Sequence, residues 1–240
     1  MSQGEIFFLH GFPLNQNMWK HQKTILKAYR CHFPDLPGSN TNDKSFFTLD
    51  MMAEEIIEKI VKVKGKVILC GLSMGGYIAQ SIYESIPEKI HSLVLISTRS
   101  GADSNSAKKK RTEAILEIKN KSLNSFLENF TSNLLSHKNY KKLFEEVYSI
   151  SKEQSENGIL SQILALQGRR DFSENLKNIK VPCLILSGED DKLSPPPDMK
   201  SIFNPIPEHE FYIIENSGHL SPLENPDKFN SILMNFLKKL

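Results

Sequence analysis

Five short apolar runs recur along the chain: EIFFLH (5–10), KVILC (66–70), SLVLIS (92–97), VPCLILSG (181–188) and EFYIIE (210–215). Each is short enough, and apolar enough throughout, to be a strand buried on both faces. Between and after them lie helical patterns, at 48–62, 74–86 and 226–240. Strand and helix alternating in this way predict an α/β fold with a mostly parallel sheet and helices on both faces.

One region interrupts the alternation. From about 105 to 180 no strand pattern is present, while Leu123, Phe126, Leu127, Phe130 and Leu134 recur at helical spacing. Further apolar clusters surround Leu143, Phe144 and Val147, and Ile159, Ile163 and Leu164. Such an insertion cannot extend the sheet, so it is expected to pack across one end of it, as a helical lid on a single domain spanning 1–240. Its apolar positions are expected mainly to pack between these helices and the sheet, a minority lining a pocket.

With 240 residues, 39% of them hydrophobic and 24% charged, the chain has enough material for one large core. The N-terminal MSQGEIFFLH lacks a basic n-region and a small-residue cleavage site, and no apolar run has the length of a membrane span. A cytoplasmic protein is therefore expected. Cys31, Cys70 and Cys183 form no CxxC pair and are read as small hydrophobes. No metal-ligand spacing appears. The run Lys108-Lys109-Lys110-Arg111 reads as a solvated helix face, and a net charge of +2 gives no footprint for nucleic acid.

The stretch Gly71-Leu72-Ser73-Met74-Gly75 stands where the run KVILC hands over to a helix. A serine on a sharp strand-to-helix turn is driven towards positive φ, and its neighbours two residues away come too close for side chains. Glycines at 71 and 75 relieve that crowding. The turn lifts the hydroxyl clear of the sheet and aims the Met74 amide, at the helix N-terminus, at any anion formed there.

A nucleophilic serine needs a base, and the base needs an acid to orient it. Of seven histidines, His219 follows the last strand pattern and precedes the last helix, at the same sheet end as Ser73. His10, before Gly11 at the end of the first strand, is expected to support the site by hydrogen bonding. His21, His32, His91, His137 and His209 are expected to be structural or exposed. After VPCLILSG, Glu189, Asp190 and Asp191 offer three carboxylates at the required end. The chain order serine, acid, histidine is that of the α/β-hydrolase arrangement.

From LHGFPLNQNMW to SGHLSPLENP the chain resembles the α/β-hydrolase family, and within it the small bacterial carboxylesterase, enol-lactonase and haloperoxidase-like group. The resemblance implies a Ser73–His219–Asp191 triad, because the family's GxxDxxxP pattern falls on Gly188, Asp191 and Pro195. It implies an oxyanion hole made by the amides of Phe12, in His10-Gly11-Phe12-Pro13, and Met74. Asp35-Leu36-Pro37-Gly38 resembles the family's DLPGHG turn, with Ser39-Asn40 following in place of HG. Phe12, Trp19 and Met74 are expected to shape the pocket.

The implied activity is cleavage of a small or medium carboxylic ester by a serine hydrolase, without cofactor or metal. The same scaffold serves enol-lactonases, C–C bond hydrolases, cofactor-free haloperoxidases and slow-turnover ligand receptors. Haloalkane dehalogenases and epoxide hydrolases carry an aspartate where Ser73 stands. Residues 105–180 hold 14 Lys and Arg against 9 Asp and Glu, whereas the rest of the chain holds 16 against 19. In related pimeloyl-carrier-protein methyl esterases an acidic carrier presents the substrate near the lid. An acidic acyl carrier protein is therefore a candidate partner beside a free small-molecule ester.

Overall fold

The computed structural model describes residues 4–40, 42 and 44–240. Six strands, β1 (Glu5–Leu9), β2 (Arg30–His32), β3 (Val67–Leu72), β4 (Ile90–Ile96), β5 (Cys183–Gly188) and β6 (His209–Ile214), form one sheet in the order β2-β1-β3-β4-β5-β6. Every neighbouring pair is parallel. The five apolar runs are thus five of the six strands. β2 lacked a signal: its Arg-Cys-His triplet is an edge strand whose form depends on pairing with Glu5, Ile6 and Phe7 of β1.

Side chains alternate across the sheet, as the period of two requires. Phe7, Leu9, Leu69, Leu93, Leu95 and Ile185 face one layer, with helices α1 (Leu49–Ile60), α2 (Met74–Ser85) and α7 (Pro196–Phe203) packed over them. Ile6, Phe8, Ile68, Cys70, Val94 and Leu184 face the other layer, covered by α8 (Ser221–Glu224) and α9 (Pro226–Leu237). The free thiols of Cys70 and Cys183 are buried within these layers, where burial pushes Cys183 up to about 12. No helix among the described residues is long and apolar enough to cross a membrane.

Between β4 and β5 come four helices, α3 (Asn105–Asn120), α4 (Leu123–Leu134), α5 (Tyr140–Ser151) and α6 (Glu156–Gln167). Ser104, Ser122 and Ser155 cap α3, α4 and α6, each hydroxyl accepting from the N–H three residues on. α4 buries Phe126, Leu127 and Leu134 of the stripe its spacing forecasts, together with Thr131, while Leu123 and Phe130 are half-buried. α3 buries only Ile118 and carries its charges outward or into the cleft beside it.

Strand register fixes where the functional loops emerge. Leu9 pairs with Gly71, Leu72 with Ile96, and Gly188 with Ile214, so the segments after β1, β3, β5 and β6 all leave along one edge. The chain steps from β1 outward to β2, then returns to place β3 on the other side of β1. The crevice at such a switch in strand order is the customary ligand site of open parallel sheets.

Candidate active site

Ser73 sits between β3 and α2 with φ +52° and ψ −109°, backbone angles that side chains rarely adopt. Tertiary bonds hold it there. Its N–H donates to Ile96 O at 2.9 Å, and the Thr98 hydroxyl donates to its carbonyl at 2.8 Å. A Cβ on Gly71 would lie 2.3 Å from Gly75 O, and one on Gly75 would lie 2.1 Å from Leu9 O. The two glycines are therefore required by backbone approach, and β1 takes part in that approach as well as the turn itself. Ser73 is part-exposed while Leu72 and Met74 on either side are buried.

His219 lies in the loop between β6 and α8, and its Nδ1 donates to Asp191 at 3.0 Å to Oδ1 and 2.9 Å to Oδ2. Both residues are almost fully buried, His219 at 2% and Asp191 at 3% exposure. Oδ1 of Asp191 also accepts from the Leu193 and Ser194 N–H groups, each at 2.9 Å. Burial works against the Asp191 charge, but His219 and the Ser194 N–H outweigh it and hold the carboxyl down to about 2. Asp190 and Glu189 form no hydrogen bond or ion pair with His219: the Asp190 N–H donates to Ser217 O, and a Glu189 carboxylate oxygen accepts from the Asn216 N–H. Because Asp191 occupies the Nδ1 side, Nε2 of His219 is the nitrogen left for chemistry.

Ser73 and His219 line one cavity of about 770 Å³, together with Phe12, Tyr77, Phe126, Phe130 and Ile163. Neither the Phe12 nor the Met74 backbone N–H donates to any acceptor among the described residues. Phe12 packs edge-on against Phe130 at 5.2 Å and beside Phe126 at 6.4 Å, so the loop after β1 is braced by α4. Two of the three expected pocket side chains lie elsewhere. Trp19 is fully buried against Phe8 in the opposite layer, because the short helix Gln16–Trp19 turns it beneath the sheet. The Met74 side chain packs into the core under α2 and does not line the cavity.

His10 has the supporting place expected of it. Its Nδ1 donates to Gly11 O at 3.2 Å and its Nε2 accepts from the Leu36 N–H at 2.9 Å. That pairing requires a neutral ring, and burial lowers its pKa to about 4. Of the other histidines, His32 stacks on Phe7 at 4.3 Å and His209 bonds Ile206 O; none lines the cavity.

Sequence reasoning missed several cavity residues. Arg99 and Lys192 stand within four residues of strand ends, a position that marks them in retrospect. Asp103 and Arg169 carried no such mark, since they meet across the start of α3 and the end of α6.

A parallel sheet with Ser73 on its strand-to-helix turn and a buried His219–Asp191 pair at the same edge defines the α/β-hydrolase class. The alpha/beta hydrolase family model matches residues 6–232, and the chain belongs to that family. It is 28% identical to the AB hydrolase superfamily protein YisY of Bacillus subtilis, over 96% of this chain and 90% of that protein. It is 30% identical to the pimeloyl-[acyl-carrier protein] methyl ester esterase of Wigglesworthia glossinidia brevipalpis, over 98% of this chain and 93% of that protein. Among solved structures, the thermophilic esterase from Thermogutta terrifontis, described with malate bound, matches at a TM-score of 0.93 and 27% identity, covering 99% of this chain and 90% of that one.

Proposed function

We propose that this hydrolase cleaves a carboxylic ester with Ser73 as nucleophile, His219 as base and Asp191 as the orienting acid. One observation carries the reading. The His219 ring is locked through Nδ1 on both Asp191 oxygens while it and Ser73 face the same cavity. His219 Nε2 takes the Ser73 proton as Oγ attacks the carbonyl carbon, and the unpartnered Phe12 and Met74 amides receive the developing oxyanion. The alcohol leaves with the proton from His219, and water then cleaves the acyl-enzyme by the same route. Helices α3–α6 act as the lid of a single domain, with Phe126 and Phe130 supplying its apolar underside.

A fluorophosphonate probe, followed by a panel of p-nitrophenyl esters, tests this. The probe labels Ser73 alone and abolishes ester turnover, and Ser73→Ala neither reacts nor turns over. Labelling that persists in Ser73→Ala, or turnover unchanged by it, would sink the assignment.

A second reading, a carrier-bound acyl ester, draws support from the exposed Lys108 and Lys109 of α3 and from relatives named as acyl-carrier-protein methyl ester esterases. Docking of an acidic carrier predicts that turnover of a carrier-bound ester falls steeply with salt while that of a small neutral ester does not. Equal salt responses would remove the carrier.

A further inference from the structure

The charged residues around the Ser73 cavity are markedly one-sided. Arg99, Lys110, Arg111, Arg169 and Lys192 line it, against one acid, Asp103. The whole chain carries a net charge of +2, so this cavity wall alone, at +4, exceeds the total.

Helical periodicity explains how two of these cations, the exposed Lys110 and the half-buried Arg111, come to line the cavity. Ala107, Lys110, Arg111 and Ala114 follow the i, i+3, i+4, i+7 spacing on α3 and all four line the cavity. The alanines keep this face low, which opens the space the two cations reach across. Lys109 instead pairs with Glu113, and the Lys108 carbonyl accepts from Gln167. The run of four basic residues is thus divided, with Lys110 and Arg111 lining the cavity that also holds Ser73.

Partners separate structural cations from available ones. Asp103 is buried and takes both Arg169 and Arg111, while Arg169 also donates to Gly101 O and stacks on Tyr77 at 4.4 Å. That network braces the wall and uses the single acid. Arg99 is engaged by Asp198 at 3.3 Å and Leu193 O at 2.9 Å. Lys110 and Lys192 have no carboxylate within ion-pair distance among the described residues, one approaching from α3 and one from the loop beside Asp191. Cations focused in a cleft with apolar walls such as Phe126, Phe130 and Ile163 attract and hold an anion more strongly than the same charges on an open surface.

We propose that this cavity selects esters bearing a second, anionic group, a carboxylate or a phosphate, held between Lys110 and Lys192 while the ester carbonyl lies at Ser73. This inference rests on the ester-hydrolase reading and narrows its substrate class. The apolar walls take the carbon chain that links the two groups, and the exposed Lys110 and Lys192 at the cavity rim hold the anion.

The test compares p-nitrophenyl hydrogen glutarate with p-nitrophenyl pentanoate, which differ in the terminal charge. We expect the wild-type protein to favour the anionic ester by about tenfold or more in kcat/KM at low salt. The preference should disappear in Lys110→Met/Lys192→Met and return in Lys110→Arg/Lys192→Arg. Calorimetry with glutarate alone and with inorganic phosphate alone, on the wild type and the methionine pair, reads anion binding without turnover and shows which anion the site prefers. Turnover of the neutral ester with no anionic preference and no binding of either anion would overturn the inference while leaving the esterase reading intact. Anion binding lost in the methionine pair, in a protein that turns over no ester, would overturn the esterase reading and support the anion site. A preference that survives the methionine pair would also overturn it, because the anion would then be held elsewhere.

Discussion

Glu224 Oε1 accepts the N–H of Gly218 at 2.8 Å and the N–H of Leu220 at 3.2 Å, so one buried carboxylate oxygen grips the residues on either side of His219. Its other oxygen accepts the Ser136 N–H at 2.8 Å and the Asn139 side-chain amide at 3.3 Å. The loop of His219 is thereby tied to the connection between α4 and α5, and the His219 N–H adds a bond to Leu134 O at 2.8 Å. Burial raises the Glu224 pKa against the pull of those N–H groups. Glu224→Ala strands several buried donors, and we expect a loss of about 3 kcal/mol or more in denaturant unfolding. For ester turnover, kcat should fall with KM little changed, and Glu224→Gln should recover much of both. A normal kcat in Glu224→Ala would show that His219 is held without it.

The adjacent carboxylates provide a sharper contrast. Asp191→Asn replaces the Nδ1 acceptor with an amide and favours the wrong imidazole tautomer, which is expected to lower kcat by about 10⁴-fold. Asp190 is half-buried and forms no hydrogen bond or ion pair with His219, so Asp190→Asn should change kcat by less than about tenfold. Steady-state kinetics on one ester decide the matter, and equal losses would contradict the assignment of the acid.

Two glycines at unusual positions separate crowding from backbone strain. Gly75→Ala would drive a methyl to 2.1 Å from Leu9 O and 2.9 Å from His10 O, both backbone atoms. It should cost about 3 kcal/mol and displace the Ser73 turn. Gly65 has φ +89° with nothing within 4 Å of the added carbon, so Gly65→Ala should cost only about 1 kcal/mol, with turnover retained. Urea unfolding of both variants checks the order.

His10 makes stability fall in mild acid. Its pKa is about 4 in the folded protein, below the ordinary histidine value of 6.5, because burial penalises the charged ring more than Gly11 O and Asp35 favour it. As the pH drops through 6.5 the unfolded chain takes up a proton that the folded protein refuses until about 4. Stability is therefore full above pH 6.5 and declines by about 3 kcal/mol by pH 4. Urea midpoints measured across that range should decline, and His10→Gln should flatten this part of the slope.

Much of this was legible from the chain because its causes are local. Short, continuously apolar runs located five strands, 3.6-residue patterning located the main helices, and the glycine spacing around Ser73 marked the strand-to-helix turn, which Ile96, Thr98 and Leu9 then hold in place. The serine–acid–histidine order placed Ser73, Asp191 and His219 after three different strands, β3, β5 and β6, and parallel pairing brings every such strand end to one edge whatever the intervening chain does. Other features depend on contacts between distant segments. β2 exists because β1 offers its edge, and Trp19 is turned away from the cavity because a short helix packs it against Phe8. Glu224 reaches Ser136 across 88 positions, and Arg169 reaches Asp103 across 66. Which half of Lys108–Arg111 enters the cavity follows from how α3 is rotated, and that rotation is set by Asp103 binding Arg111 and Arg169 and by packing against α4 and α6. A hydrophobic pattern records which face of an element is buried; where polar side chains from separate elements converge depends on register, rotation and packing, and these exist only once the chain has folded.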